Sequence, residues 1–240
     1  MSDGSGLLAL GAASLLAAFL STCFSVGGGY ILFAATTALM PLPNAIALQS
    51  VLSFGSLFSR THAFWADIEW PIVRSFSAGS LMGVSAGIWL FRMAPESLLA
   101  LFLAMLLIGL AWLPPVRLGI TQGQSFFGVG VLHAVVGTLF GLGAILQPAL
   151  LRTRLERAAI VGTFAACIIL LEVLRTCGYA ATGFSYRNHA AEIAVATVTG
   201  LAGTYLGKRA GPFMPDRLFR FAMKLFITGL AVRFLFIAAA

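Results

Sequence analysis

A run of three glycines at positions 27–29 stands inside an otherwise strongly apolar stretch of the sequence. Consecutive glycines interrupt a helix, because each costs about 1 kcal/mol relative to alanine. A helix that begins after the interruption presents free N–H groups and the positive end of its dipole, and glycine lets an oxyanion approach the backbone. This first glycine segment, residues 25–29, therefore predicts an anion-binding site, with tight helix packing as the alternative. The residues expected to take part are Ser21, Cys23, Ser25, Gly27, Gly28 and Gly29.

A second glycine segment, residues 141–147, lies about half a chain later. Gly141 and Gly143 stand near its start and Gln147 at its end, whereas Ala144 occupies a position at which a third glycine would complete the likeness. Corresponding helix interruptions in two halves of a chain are typical of the centre of a transporter. The expected site is therefore asymmetric, with the first glycine segment as the main anion cradle and the second as its partner wall.

Polar side chains in other apolar segments extend the expected site. Amide and hydroxyl groups can donate hydrogen bonds to the oxygens of an oxyanion, although Ser and Thr in apolar helices also bond back to the preceding turn. The candidates for substrate contact are Gln49, Ser50, Gln147 and Thr163.

Charged side chains within apolar segments are costly and often functional. Glu172 and Arg175 stand three residues apart, so they can pair on one helix face. The pair is either a self-neutralised structural element or part of the pathway, where an arginine can bind an oxyanion bidentately. Glu192 and His133 are the other candidates for gating or proton coupling, and a hydrogen-bonded core histidine is the alternative for His133.

The amino-acid composition indicates the class of protein to which these residues belong. The chain is 60% hydrophobic and 10% charged, with a mean hydropathy of +0.98, whereas soluble domains contain about 25% charged residues. These values predict a multi-pass membrane protein, and the expected location is the inner (plasma) membrane. The net charge of +7 arises mainly from short loops, which argues against nucleic-acid binding.

The cysteines and histidines show no spacing typical of a metal site or a disulfide framework, so neither metal nor cofactor is expected. Cys23 is the one residue that suggests a nucleophile, and no base motif accompanies it. An intramembrane enzyme is therefore disfavoured, and the chain is not expected to be an enzyme.

Internal likeness predicts two transmembrane repeats, residues 1–116 and 125–240, joined by a linker at 117–124. The expected fold is all-α, and each repeat holds a glycine-broken helix and a short half-helix. Glycines recur every fourth residue in both halves, which is typical of close helix contacts in lipid. These glycines are Gly79, Gly83 and Gly87 in the first half and Gly203, Gly207 and Gly211 in the second.

The orientation of the repeats depends on how the short segment after the first glycines is counted. If it is a separate leg, Arg60 and Arg117 share a cytoplasmic face with the basic loops of the second half, and the repeats are inverted. If the broken helix is one crossing, the repeats are parallel. Charge favours the inverted arrangement.

Several of these motifs resemble the TauE/SafE family of sulfite and organosulfonate exporters. The likeness rests on Ser25-Val26-Gly27-Gly28-Gly29, on Arg60-Thr61-His62 followed by Asp67-Ile68-Glu69-Trp70, and on the glycine ladders, and it extends from about Leu7 to Phe236. The resemblance implies a secondary transporter that exports sulfite or a short organosulfonate. The alternatives are another anion, such as thiosulfate, sulfate or a carboxylate, and a non-transporting assembly subunit. The expected partners are a small anion, the lipid bilayer and, as one option, a second copy of the chain in a homodimer.

Overall fold

The computed structural model describes residues 4–24, 28–112, 125–143, 145–210 and 216–239. Within these ranges the chain is all-helical, with two 3₁₀ turns at Trp65–Asp67 and Tyr186–His189 and no strand. The predicted linker at 117–124 lies outside the described residues, as do Ser25, Gly27 and Gly211. The helices are α1 (Gly4–Phe24), α2 (Gly28–Leu39), α3 (Leu42–Leu52), α4 (Phe54–Ala63), α5 (Trp70–Met93), α6 (Glu96–Trp112), α7 (Ser125–Phe140), α8 (Leu146–Leu150), α9 (Arg157–Ala181), α10 (Ala190–Ala210) and α11 (Asp216–Ala239).

One predicted segment is divided in the structure. The sequence suggests a single apolar segment from Asn44 to Phe64, whereas α3 ends at Leu52 and α4 begins at Phe54. The residue between them, Ser53, directs its N–H to the carbonyl of Val51 and so leaves the regular helical ladder. Arg60, which the sequence places near the end of this segment, lies in the last turn of α4.

The glycine ladders bring helix backbones into close contact. A Cβ atom at Gly79 or Gly83 of α5 would overlap the carbonyl oxygens of Phe127 and Val131 in α7. In the second half, Gly203 of α10 approaches the backbone of α1 in the same manner, and a Cβ atom at Gly207 would lie 2.6 Å from the carbonyl oxygen of Phe19. The predicted packing role of the ladders is therefore confirmed for the described glycines.

These contacts join helices from different halves of the chain. Helix α1 packs along α10, α5 along α7, and α6 along α11. Helix α9 packs against α3, α4 and α5, and its inward face is fully buried at Ala165, Cys167 and Tyr179. The polar residues of α9 are consequently held in the interior between the two halves.

The surface is rich in exposed large apolar side chains, among them Leu8, Trp89, Phe102, Val198 and Phe236. Two helical stretches, Gly4–Cys23 and Ala158–Ala181, are long and apolar enough to cross a membrane, and three shorter apolar helices accompany them. Length and composition alone would also fit the core of a soluble protein, but extensive apolar exposure is typical of a surface that contacts lipid or another protein.

Candidate functional site

A cavity of about 650 Å³ lies between the two halves of the chain. Helices α1 to α4 form one side of it, and α7, the second glycine segment, α8 and α9 form the other. The polar or charged residues that line it are Ser14, Ser21, Tyr30, Gln49, Ser53, Ser56, Arg60, His133, Gln147, Arg152, Glu172 and Arg175.

Two glycines at the start of α2 have different surroundings. A Cβ atom at Gly28 would overlap the carbonyl oxygen of Ala17 and the hydroxyl of Ser21, so Gly28 is required for the contact between α1 and α2. Gly29 is exposed to the cavity, and among the described residues a Cβ atom there would meet only Leu142 Cδ2, at 3.7 Å. The packing interpretation therefore fits Gly28, whereas Gly29 leaves room for a ligand beside the backbone.

Helix α2 directs its N-terminus at the cavity and its C-terminus away from it. An α-helix leaves its first four N–H groups without partners inside the helix, and its dipole is positive at that end. At the opposite end, Arg233 of α11 donates from Nη2 to the carbonyl of Thr37 at 2.6 Å and from Nη1 to the Thr37 hydroxyl at 3.1 Å. The guanidinium complements the negative end of the dipole, while the positive end faces the cavity.

Gln49 is 3% exposed and lies beside Gly29. Its Nε2 donates to the Gly29 carbonyl over a long 3.4 Å, and its Oε1 has no partner among the residues that the structure describes. Buried polar atoms without partners are rare in folded proteins and costly. An amide held so loosely can turn and offer its NH₂ group to a ligand in the cavity.

The second glycine segment is organised around His133. Helix α7 ends at Phe140, and Gly141 takes a φ of +73°, a conformation that favours glycine. The Nδ1 atom of His133 accepts hydrogen bonds from the N–H groups of Ile145 at 3.2 Å and Leu146 at 3.1 Å. His133 therefore caps the start of α8 as a neutral imidazole with its proton on Nε2.

This capping role differs from the proton relay that the sequence suggested for His133. A proton added at Nδ1 would break both hydrogen bonds to the backbone and leave two N–H groups unpaired. The side chain is 2% exposed, and its ring packs edge-on against Phe76 at 5.6 Å between centroids. The alternative interpretation, a hydrogen-bonded core histidine, agrees with this geometry, although the ring also borders the cavity.

Glu172 and Arg175 form the ion pair that their spacing allows. Arg175 Nη1 lies 2.8 Å from Glu172 Oε1 and 2.7 Å from Oε2, and Nη2 lies 3.4 Å from the carbonyl of Ile46. Arg175 is 1% exposed, and within the described parts of the chain its Nε has no hydrogen-bond partner. The pair is neutralised internally, and both residues also border the cavity.

Of the predicted site residues that the structure describes, four do not line this cavity. The thiol of Cys23 donates to the carbonyl of Gly207 at 3.4 Å, where α1 contacts α10. Thr163 accepts from the N–H of Glu69 at 2.9 Å, and Glu192 lies 3.9 Å from His189 Nδ1. Each of these side chains is used where two elements meet.

Ser50 is the fourth of these residues. Its hydroxyl donates to the carbonyl of Ala47 at 2.7 Å, the back-bonding alternative that its residue type allows. It also contacts the hydroxyls of Thr176 at 3.0 Å and Tyr186 at 3.1 Å. These contacts hold the 3₁₀ turn at Tyr186–His189 against α3 and α9.

Arg60 is a cavity residue that the sequence analysis did not assign to the site. It is 8% exposed, and its Nε and Nη2 donate to the carbonyl and hydroxyl of Ser56, each at 3.3 Å. A signal was present, because Gln49, Ser53, Ser56 and Arg60 are spaced four, three and four residues apart. That spacing would place them on one face of an unbroken helix, and all four line the cavity although the helix is divided at Ser53.

An all-helical chain with an apolar exterior and a polar, arginine-bearing internal cavity has the architecture of a helical membrane transporter. Comparison with protein families makes this specific. The family model described as "Sulfite exporter TauE/SafE" matches residues 10–234, and the chain belongs to this family of membrane transporters. The family suggested by the first glycine segment, by the basic and acidic-aromatic motifs and by the glycine ladders is thus confirmed. No curated protein and no solved structure matches the chain.

Proposed function

We propose that this protein is a secondary transporter that exports small sulfur oxyanions, such as sulfite or a short organosulfonate, across the inner membrane. Membership of the sulfite exporter family supports the substrate class. The observation that carries the site is the opening of the α2 N-terminus into the cavity at Gly29, which has free space where a side chain would be. Backbone N–H groups at such a terminus bind oxyanions without a dedicated side chain.

The anion is held on the α2 side of the cavity. There the partial positive charge of the helix terminus, the hydroxyl of Ser21 and the amide of Gln49 surround one space. At the second glycine segment, by contrast, His133 Nδ1 already accepts from two N–H groups at the start of α8. Gln147 and Gly143 therefore form the opposite wall, and α8, with five residues, contributes no terminus site of its own.

The two halves act as structural repeats in this proposal. In this correspondence α1, α5 and α6 of the first half match α7, α10 and α11 of the second. Interchanging the halves therefore turns the packed pair α1–α10 into the pair α7–α5 and leaves the pair α6–α11 unchanged. Pseudo-symmetric repeats around a central site are the common basis of alternating access. The ladder glycines of α5 contact α7, and those of α10 contact α1, so each contact joins helices of different halves. The rigid bodies that move during transport would therefore combine helices from both halves.

The proposed function is tested by flux measurements with purified protein in proteoliposomes. Uptake of sulfite, sulfoacetate, thiosulfate and sulfate is compared, with and without a pH gradient. Flux of at least one sulfur oxyanion above that of protein-free liposomes supports the proposal, and a dependence on the gradient identifies proton coupling. No flux of any of these anions by folded protein would contradict it and favour an assembly role.

A further inference from the structure

Three arginines line the cavity, and each is in a different electrostatic setting. Arg175 is neutralised by Glu172 through two short hydrogen bonds. Arg152 is exposed to solvent after α8. Arg60 is buried, and among the described residues it has no carboxylate partner.

Arg60 makes only local contacts within its own helix. Its two hydrogen bonds end on Ser56, one turn earlier, and both are at the long end of the range at 3.3 Å. A buried guanidinium normally has a paired or hydrogen-bonded counter-charge, because removing an uncompensated charge from water is expensive. The planar fork of arginine is also the side chain best suited to bind two oxygens of one oxyanion.

If Arg60 had only a structural role, that role would be to place a positive charge at the C-terminal end of α4. Basic residues in the last turn stabilise the negative end of the dipole. Arg92 lies in the last turn of α5 and is exposed to solvent, because stabilising a helix dipole does not require burial. Arg60 has the equivalent position in α4 but borders the cavity instead of solvent, so the dipole does not explain its burial.

We infer that Arg60 binds the charged group of the transported anion, and that the cavity selects substrates with a single negative charge. This inference rests on the proposed function. The cavity residues that precede Arg60 at helical spacing, Gln49, Ser53 and Ser56, are uncharged. The Glu172–Arg175 pair contributes no net charge. One uncompensated buried cation therefore matches one anionic charge, with the neutral donors left to bind the remaining oxygens.

The test uses the full chain in proteoliposomes with three probes of similar size. Methanesulfonate carries one negative charge near neutral pH, sulfate carries two, and dimethyl sulfone carries none and reports leak. Wild type is compared with Arg60→Gln, with Arg60→Lys and with the matched control Arg92→Gln. We expect wild type and Arg92→Gln to carry methanesulfonate faster than sulfate.

Arg60→Gln should raise the half-saturation concentration for methanesulfonate about 10- to 100-fold, as expected for loss of a charged hydrogen bond to the ligand. Arg60→Lys should raise it by less, because a point charge remains but the bidentate fork is lost. A wild-type half-saturation concentration in Arg60→Gln would overturn the role of Arg60. Equal wild-type rates for sulfate and methanesulfonate would overturn the selection for a single charge.

The outcomes separate this inference from the function on which it rests. If wild type carries none of the sulfur anions, the proposed function fails. If wild type carries methanesulfonate and Arg60→Gln is unchanged, only the role of Arg60 fails. If Arg60→Gln does not fold, the lysine variant decides, since an unchanged half-saturation concentration in Arg60→Lys contradicts recognition by the guanidinium.

Discussion

The two glycine segments differ in what their neighbouring helix termini do. At the first, Gly29 leaves the start of the 12-residue helix α2 open to the cavity. At the second, the imidazole of His133 accepts from two of the first N–H groups of a five-residue helix. Similar sequence motifs thus lie beside a helix start that borders the cavity at Gly29 in one half and beside a helix start capped by His133 in the other.

The difference shows that glycine content alone does not identify an anion site. Gly28 and Gly141 are both required for structure, one by contact with the α1 backbone and the other by a positive φ. Among the described glycines of the two segments, only Gly29 combines exposure to the cavity with free space for a side chain. A binding role is therefore tested best at Gly29, and a packing role at Gly28.

Gly28→Val should have the largest effect. The added Cβ would overlap the Ala17 carbonyl, so α1 and α2 must separate, and we expect little folded protein in the membrane. Yield and size-exclusion profile in detergent measure this. Gly128→Ala is the control, since nothing lies within 4 Å of its added methyl. Normal yield and monodispersity of Gly28→Val would show that this contact is not needed.

Gly29→Val should leave the fold intact and impair transport. The nearest atom to the new Cβ is 3.7 Å away, so the side chain occupies the cavity where the anion approaches the backbone. We expect a half-saturation concentration at least about tenfold higher, the effect of losing one hydrogen bond to a charged ligand. Flux is measured on protein whose size-exclusion profile matches wild type. Unchanged flux would contradict the assignment of the first glycine segment as the anion cradle.

His133→Ala should affect stability more than transport. Two N–H groups at the start of α8 lose their acceptor, which costs about 1–3 kcal/mol for a buried group. Thermal unfolding should occur at lower temperature, and the amides of Ile145 and Leu146 should exchange with deuterium faster. His133→Asn, which keeps an acceptor, is the control. Unaltered exchange at both amides would contradict the capping role.

Gln49→Leu should have the smallest effect on stability. We expect it to keep or slightly raise stability while it weakens anion binding. The replacement removes a buried oxygen without a partner, so we expect equal or slightly greater stability, by up to about 1 kcal/mol. Anion affinity should fall, because the amide no longer faces the cavity. Unfolding temperature and half-saturation concentration are measured on one preparation. Reduced stability with unchanged affinity would assign Gln49 to packing.

Much of the fold could be predicted from local sequence. The apolar segments indicate helices whose observed bounds agree to within a few residues, as in α5, or coincide, as in α7, because hydrophobic runs and flanking prolines act locally. The division of one segment at Ser53 was not predicted, because it depends on the hydrogen bond of a single N–H group. The ladders were interpreted correctly because glycine every fourth residue has few other uses in an apolar helix.

The site was predictable only in part. Gly29, Gln49 and the Glu172–Arg175 pair line the cavity as residue type and spacing suggested. Ser50 and Thr163 also have suitable chemistry, but their hydroxyls are used by neighbouring elements that no local pattern reveals. Arg60 was interpreted as a topology signal because an arginine near a segment end usually lies at the interface.

The sequence by itself determined the class of protein, the family, the helical fold and the glycines that let helices touch. These properties follow from composition and short-range periodicity, which are independent of how distant segments meet. Tertiary structure decided that the helix terminus at the second glycine segment is capped, since His133 reaches Ile145 and Leu146 only when α7 and α8 are folded against each other. It also decided that Arg60 borders the cavity, because the direction of a side chain depends on the packing of α4 between α9 and α10.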